Sequence, residues 1–197
     1  MIKTTPMIFN SEMVRALLAG NKTQTRRIIK SQSICEKYSN AENYISSMCP
    51  FGKSGDLIYV RETFGFSDPD YYDYETPMDV IYRTELNRPV TRMPEKWKPS
   101  IHMPRWASRL TLKINSVRVE RIQDISEKDS WAEGFEGYDD DVTGGVNGYS
   151  QFCEAWKNIY GASWDKNEWV WVIDFEVIHK NIDLVLAEME QINESTN

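Results

Sequence analysis

The stretch with the clearest chemical character is residues 17–27, which read LLAGNKTQTRR. Leu17 and Leu18 complete the apolar face of a helix, and Gly20 breaks that helix. The six residues after Asn21 are one lysine, three hydroxyl or amide side chains and two arginines. A helix that only packs against the core does not need such a run of polar and basic residues after it. A site that holds a phosphate or a polar base beside a nucleophile does.

Within this stretch, Lys22 and Thr25 are candidates for a base and a nucleophile. A threonine hydroxyl attacks a carbonyl only when a neighbouring group takes its proton, or else it positions a water. Lys22 can take that proton if burial or the adjacent Arg26 and Arg27 lower its pKa. The two arginines can also hold the phosphate or carbonyl of a substrate. The alternative interpretation is a solvated turn after a helix.

A carboxylate, Glu62, interrupts an apolar strand face. The alternation over residues 56–64 predicts a strand on which Ile58, Val60 and Glu62 share one side. Burying an unpaired carboxylate is costly, so Glu62 should be paired or functional. Glu62 is one candidate for the carboxylate of a site around Lys22. Alternatively, it pairs with Arg26 or Arg27 and holds residues 20–27 against the sheet.

The remaining elements follow from periodicity and from the residues that end helices. We predict strands over 79–84, 109–119 and 169–177, and helices over 11–19, 126–133, 150–160 and 181–194. Ser126 to Asp129 has the spacing of a capping box, and the last helix is expected to dock on the body of the protein. Loops are predicted over 30–55, with a short helix, and over 65–79, 85–106 and 134–149.

Composition limits the class of protein and its partners. The net charge of −7 argues against coating of duplex DNA by bulk electrostatics but leaves room for a local basic pocket. Three cysteines and two histidines, without a C-x-x-C pair, predict no zinc site, no disulfide framework and a reducing, cytoplasmic location. We assign no metal and no cofactor. No run approaches the roughly 20 apolar residues of a membrane span, so no membrane partner is expected.

Several short motifs occur in a fixed order along the chain. They are G-x-K-x-x-T-x-R at Gly20–Arg27, G-D-x-I-x-V at Gly55–Val60, I-S-E-x-D-x-x-x-E-G at Ile125–Gly134 and W-V-I-x-F at Trp171–Phe175. In this order they resemble the ASCH domains, a branch of the PUA-like superfamily. The resemblance covers nearly the whole chain and is greatest to the larger bacterial and prophage-encoded members.

The resemblance implies an α+β fold, a PUA-like β-barrel flanked by helices with a C-terminal helix. Residues 1–197 would form one domain with insertions near 30–54, 65–107 and 134–149. It also implies a cleft for RNA or a nucleoside. Some compact ASCH proteins are N4-acetylcytidine amidohydrolases that use a Lys, a Thr and a Glu, which fall here on Lys22, Thr25 and Glu133.

Two hypotheses for function follow. The first is a hydrolase of a modified cytidine that uses Lys22, Thr25 and Glu133, with Glu133 passing a proton to the leaving nitrogen. Other family members are linked to RNA cleavage or RNA binding, so the second is a non-catalytic RNA-binding module, or a ribonuclease, with the same cleft. Arg26, Arg27, Glu62 and Tyr59 are the candidate substrate-binding residues, and Tyr59, Trp97 and Trp106 could stack bases. The acidic net charge favours a nucleoside over long RNA.

Overall fold

The computed structural model describes residues 2–37, 42–67, 80–85, 94, 96–138 and 145–195. The strands are Thr4–Ile8 (β1), Gln24–Ile28 (β2), Leu57–Arg61 (β3), Phe64–Phe66 (β4), Val80–Tyr82 (β5), Thr111–Arg121 (β6) and Trp169–Ile178 (β7). The α-helices are Ser11–Leu18 (α1), Gln32–Lys37 (α2), Glu42–Ser47 (α3), Glu127–Ala132 (α4), Gly148–Tyr160 (α5) and Ile182–Ser195 (α6). The predicted α+β class is confirmed.

Five of the strands form one sheet with the order β1-β3-β6-β7-β2, and β4 and β5 form a separate ribbon. β1 runs parallel to β3, whereas the other neighbours are antiparallel. Because β1 and β2 lie at opposite ends of this order, the described sheet is open and not the closed barrel that was predicted. Arg27 Nη2 on β2 donates to the carbonyl of Ile8 on β1 at 3.1 Å, so a side chain links the two edges.

The register of β2 on β7 decides which way the side chains of residues 24–28 point. Directly opposed residues of paired strands face the same side of a sheet. Thr25 lies opposite Ile173, a residue of the larger hydrophobic core, whereas Arg26 lies opposite Val172, a residue of the second core. Thr25 and Arg26 therefore point to opposite faces of the sheet.

Each core is built by helices that cover one face of the sheet. The larger core takes Val14 and Leu17 from α1, and the second core takes Phe152 and Trp156 from α5. A third cluster joins Ile182 and Val185 of α6 to Leu57 of β3, which confirms the predicted docking of the last helix. In the part of the chain described, none of the helices is long and apolar enough to cross a membrane.

Residues 24–28 form a strand, and both Lys22 and Thr25 are buried, so the alternative of a solvated turn does not hold. Gln24, Thr25 and Arg26 are buried, since β7 pairs with β2 along its whole length and α4 contacts the same strand. The predicted strand over 56–64 also differs, since β3 ends at Arg61 and a separate strand begins at Phe64. The predicted loops extend into residues 68–79, 86–93 and 139–144, which lie outside the described residues.

Candidate functional site

A buried ion pair joins the end of α1 to the end of α4. Lys22 Nζ donates to Glu133 Oε2 at 2.7 Å and to the Glu133 carbonyl at 2.9 Å. The exposed fractions of the two side chains are 0% and 4%. The capping box of Ser126 and Asp129 starts α4, as predicted, and Glu133 is the residue that ends it. The pair thus connects two motifs that are 111 residues apart.

A glycine makes this approach possible. Gly134 has a φ of +94°, in the left-handed region that favours glycine, and a Cβ there would lie 2.9 Å from Cβ of Ala16. The chain can therefore turn at the end of α4 while packing closely on α1, which brings Glu133 beside Lys22.

The environment of Lys22 favours loss of its proton. Complete burial lowers the pKa of Lys22 below its ordinary value of 10.5, and the charges of Arg27 and Arg26 lower it further. The carboxylate of Glu133 opposes these effects, but the net direction is downward. A lysine with this surrounding is easier to use as a base than one in water.

Arg26 joins the ion pair to further polar residues on the same face of the sheet. Its Nη1 lies 3.3 Å from Glu133 Oε1, and its Nη2 lies 3.0 Å from Glu120 Oε2. Nη1 also donates to Gln24, whose amide donates in turn to Asp174 at 2.6 Å. Sequence analysis missed Glu120, Gln24 and Asp174 as members of this network. The predicted strand over 109–119 stopped one residue short of Glu120, whereas β6 runs to Arg121, so the spacing of Arg118 and Glu120 on one strand face was not considered.

Thr25 and Arg27 lie on the opposite face of β2 from Arg26. Thr25 Oγ1 accepts a hydrogen bond from Arg27 Nη1 at 3.0 Å, and the Arg27 Cζ lies 5.1 Å from the ring centroid of Phe9. Neither Lys22 nor Glu133 is hydrogen-bonded to Thr25 in the described residues. The structure thus brings Lys22, Glu133 and Arg26 together and leaves the Thr25 hydroxyl with Arg27.

A cleft opens beside Arg27. Its volume is about 560 Å³. Its two guanidinium groups belong to Arg27 and Arg61, and its other lining residues are Pro6, Met7, Ile8, Asn10, Met13, Phe51, Ile159 and Tyr160. A smaller cavity of about 20 Å³ is lined by Arg26, Arg27 and Glu133 together with α5. Arg27 borders both, so the cleft and the buried polar network meet at this residue.

Glu62 and Tyr59 lie away from this site. The Glu62 carboxylate accepts hydrogen bonds from Arg109 Nε at 2.9 Å and from Thr84 Oγ1 at 2.9 Å. The predicted alternative pairing of Glu62 with Arg26 or Arg27 is therefore wrong, because β3 has already ended and Glu62 meets Arg109 instead. Tyr59 packs in the cluster under α6, with Arg105 Cζ 5.8 Å from its ring centroid.

The described residues contain no group of three or more His, Cys, Asp or Glu side chains that could hold a metal ion. The two arginines that line the cleft donate hydrogen bonds to backbone carbonyls, Arg27 to Ile8 and Arg61 to Ile101.

No family model matches the chain, and no curated protein does. One solved structure that matches is a protein of Enterococcus faecalis V583, EF3133, described with the family model DUF984. The identity is 11%, the TM-score is 0.43, and the match covers 92% of this chain and 84% of that one. A match at this level shows neither a shared family nor a shared function.

Proposed function

We propose that the protein is an ASCH-type, RNA- or nucleoside-binding hydrolase that removes the acyl group from a modified cytidine such as N4-acetylcytidine. The observation that carries the proposal is the buried pair of Lys22 and Glu133, in which Glu133 lines a cavity of about 20 Å³ that shares Arg27 with the larger cleft. Two buried charges are a costly way to hold a fold together, because well-packed apolar residues often do so equally well. A role in proton transfer would explain why a charged pair is buried at this position.

Amide hydrolysis needs an attacking oxygen, a base and an acid for the leaving amine. We assign the attack to a water molecule, because the Thr25 hydroxyl is already engaged by Arg27. The cavity of about 20 Å³ next to Glu133 is large enough for one water. The Nε of Arg26 has no hydrogen-bond partner among the described residues and is a donor that such a water can satisfy.

In the proposed reaction, the water oxygen attacks the carbonyl carbon of the acetyl group while Lys22 takes the proton of the water. Glu133, at 2.7 Å from Lys22, relays that proton to the exocyclic nitrogen as the carbon–nitrogen bond breaks. One water is consumed, and acetate and cytidine are released. Arg27 holds the substrate in the cleft, and Thr25 positions Arg27.

The test is incubation of the protein with N4-acetylcytidine, with chromatographic detection of cytidine. Lys22→Met and Glu133→Gln should each reduce the rate by about 10²- to 10⁴-fold, the usual contribution of general acid–base catalysis. The wild-type rate should rise with pH through the pKa of Lys22, which lies below 10.5, because only the neutral amine accepts a proton.

Lys128→Met and Glu136→Gln are the matched controls, since both side chains are exposed. They should leave the rate unchanged. Absence of wild-type turnover, or turnover that survives Lys22→Met in a folded variant, would show that the amidase assignment is wrong.

One observation favours a second candidate, a non-catalytic RNA-binding module that uses the same cleft. The candidate nucleophile and base, Thr25 and Lys22, do not share a hydrogen bond in the described residues. Saturable binding of nucleoside or RNA that Arg27→Ala weakens, without any turnover, would select this candidate.

A further inference from the structure

Positive charge is concentrated in one segment of this acidic chain. Residues 96–113 contain five Lys or Arg residues and no Asp or Glu, although the whole chain has a net charge of −7. A local cluster of this kind attracts a polyanion even when the body of the protein is acidic. The segment belongs to the proline-rich insertion and the start of β6.

An exposed aromatic stack lies on this segment, and we call it the aromatic patch: Phe66, Lys98 and Trp106. The Trp106 side chain is 61% exposed, and its ring stacks on Phe66 with centroids 6.2 Å apart and an interplanar angle of 23°. Lys98 Nζ lies 4.6 Å from the Phe66 ring centroid. The patch offers solvent an indole beside an ammonium group.

The patch is held by hydrogen bonds to neighbouring elements. The backbone of Lys98 pairs with Phe64 on β4, with N–O distances of 2.7 and 3.2 Å. The carbonyl of Trp106 accepts a hydrogen bond from the Asn181 side chain at 3.1 Å. A surface that is already ordered loses less entropy on binding, which favours a role in recognition.

Arg61 connects the patch to the cleft. This residue lines the cleft beside Arg27, and its Nη2 donates to the carbonyl of Ile101, between Lys98 and Trp106 in the chain. The Nε of Arg61 is buried and has no hydrogen-bond partner within the described part of the chain. An acceptor bound in the cleft, such as a phosphate oxygen, would satisfy this donor.

The lysines of the segment are the cations available to a ligand. Arg105 pairs with Asp183, and Arg109 pairs with Glu62 and Glu85. Lys96 and Lys98 are both exposed, and neither forms an ion pair with another described residue. Their charge is therefore not cancelled by a near carboxylate in that part of the structure.

We propose that the cleft acts on a nucleotide within single-stranded RNA and that the aromatic patch stacks a neighbouring base of the same strand. This inference rests on the proposed function and names its substrate as a polymer, whereas the net charge alone favoured a free nucleoside. Single-stranded RNA fits because every base has a flat face for Trp106 and every linkage has a charge for Lys98. An acidic protein would use the lysines but not the open indole.

Binding of a short, fluorescein-labelled oligouridylate, followed by anisotropy, tests the patch. Trp106→Ala should weaken binding about tenfold, as expected for loss of one stacked base. Lys98→Ala should weaken binding. It should also reduce the slope of log affinity against log salt concentration by about one, the value expected for loss of one phosphate contact. Trp131→Ala and Lys128→Ala, which remove an exposed indole and an exposed ammonium on α4, should bind within about twofold of wild type.

Turnover separates this inference from the proposed function. With N4-acetylcytidine placed inside an oligonucleotide, Trp106→Ala should lower kcat/KM about tenfold, while hydrolysis of the free nucleoside stays unchanged. RNA binding that depends on the aromatic patch, without turnover, would rule out the proposed hydrolase activity but would support the patch as an RNA-binding surface. Unchanged RNA affinity in Trp106→Ala, or equally tight binding of polyglutamate, would overturn the inference.

Discussion

Lys22 and Glu133 differ in how much of their charge is compensated by other residues. Glu133 faces two cations, since Arg26 Nη1 lies 3.3 Å from Oε1 and Lys22 Nζ lies 2.7 Å from Oε2. Within the described residues, Lys22 has Glu133 alone as an ion-pair partner. Removing one side of a buried pair leaves an uncompensated charge, so the two possible removals should not cost the same.

We therefore expect Glu133→Gln to destabilise the protein more than Lys22→Met. The first change leaves Lys22 buried without its carboxylate, at a cost of about 3–5 kcal/mol, whereas the second leaves Glu133 paired with Arg26. Urea unfolding at neutral pH measures both. A Lys22→Met variant that loses as much free energy of unfolding as Glu133→Gln would show that Arg26 does not compensate Glu133.

Sequence reasoning grouped Lys22 with Glu133, with Glu62 as the rival carboxylate, but it predicted neither an ion pair nor its surroundings. The resemblance placed Lys22 and Glu133 in one site, and the two side chains are in contact. The same reasoning put Thr25 with them, but the alternation of side chains along β2 turns Thr25 to the other face of the sheet. That alternation could not be applied, because the polar residues 24–28 were not predicted as a strand at all.

At the scale of elements, α4 positions Glu133 for the site. The helix has only six residues, so its start and its end both lie close to Glu133. Ser126 Oγ accepts a hydrogen bond from the backbone N–H of Asp129 at 3.1 Å, which completes the capping box seen in the sequence. The capping box and Gly134 could be predicted because their signals are local. The position of α4 against β2 could not, because it depends on tertiary packing.

Loss of this cap should loosen α4. We expect Ser126→Ala to lower the free energy of unfolding by about 1 kcal/mol, the usual cost of removing an N-cap side chain. Thermal unfolding measures the change, and Ser150→Ala, at an exposed position near the start of α5, is the control. If the two variants have equal melting temperatures, the cap does not contribute to stability.

At the scale of the whole molecule, α6 ties distant parts of the chain together. Ile182 and Val185 pack on Leu57 of β3, and Ile2 from the first described residues joins the same cluster. The Asn181 amide donates to the carbonyl of Ser108 at 2.7 Å, which anchors the proline-rich segment. The sequence predicted the apolar face of α6, but it did not identify these partners, because they are remote in the chain.

Disruption of α6 packing should therefore weaken the whole fold. Ile182 is fully buried, so Ile182→Ala should cost about 2–5 kcal/mol of unfolding free energy. Leu184 on the same helix is 59% exposed, and Leu184→Ala should change stability by at most about 0.5 kcal/mol. Chemical denaturation compares the two. Similar losses in both variants would mean that α6 does not dock as the structure describes.

The bond from Arg27 to the carbonyl of Ile8 has a consequence for how a ligand would enter. In the described residues this guanidinium bridges the two edge strands, β1 and β2, which are not joined to each other by backbone hydrogen bonds. An anion that binds Arg27 would compete with that carbonyl. Binding of a ligand in the cleft and separation of β1 from β2 would therefore be linked equilibria. Ligand binding would thus separate β1 from β2 while the backbone hydrogen bonds of the sheet stay intact.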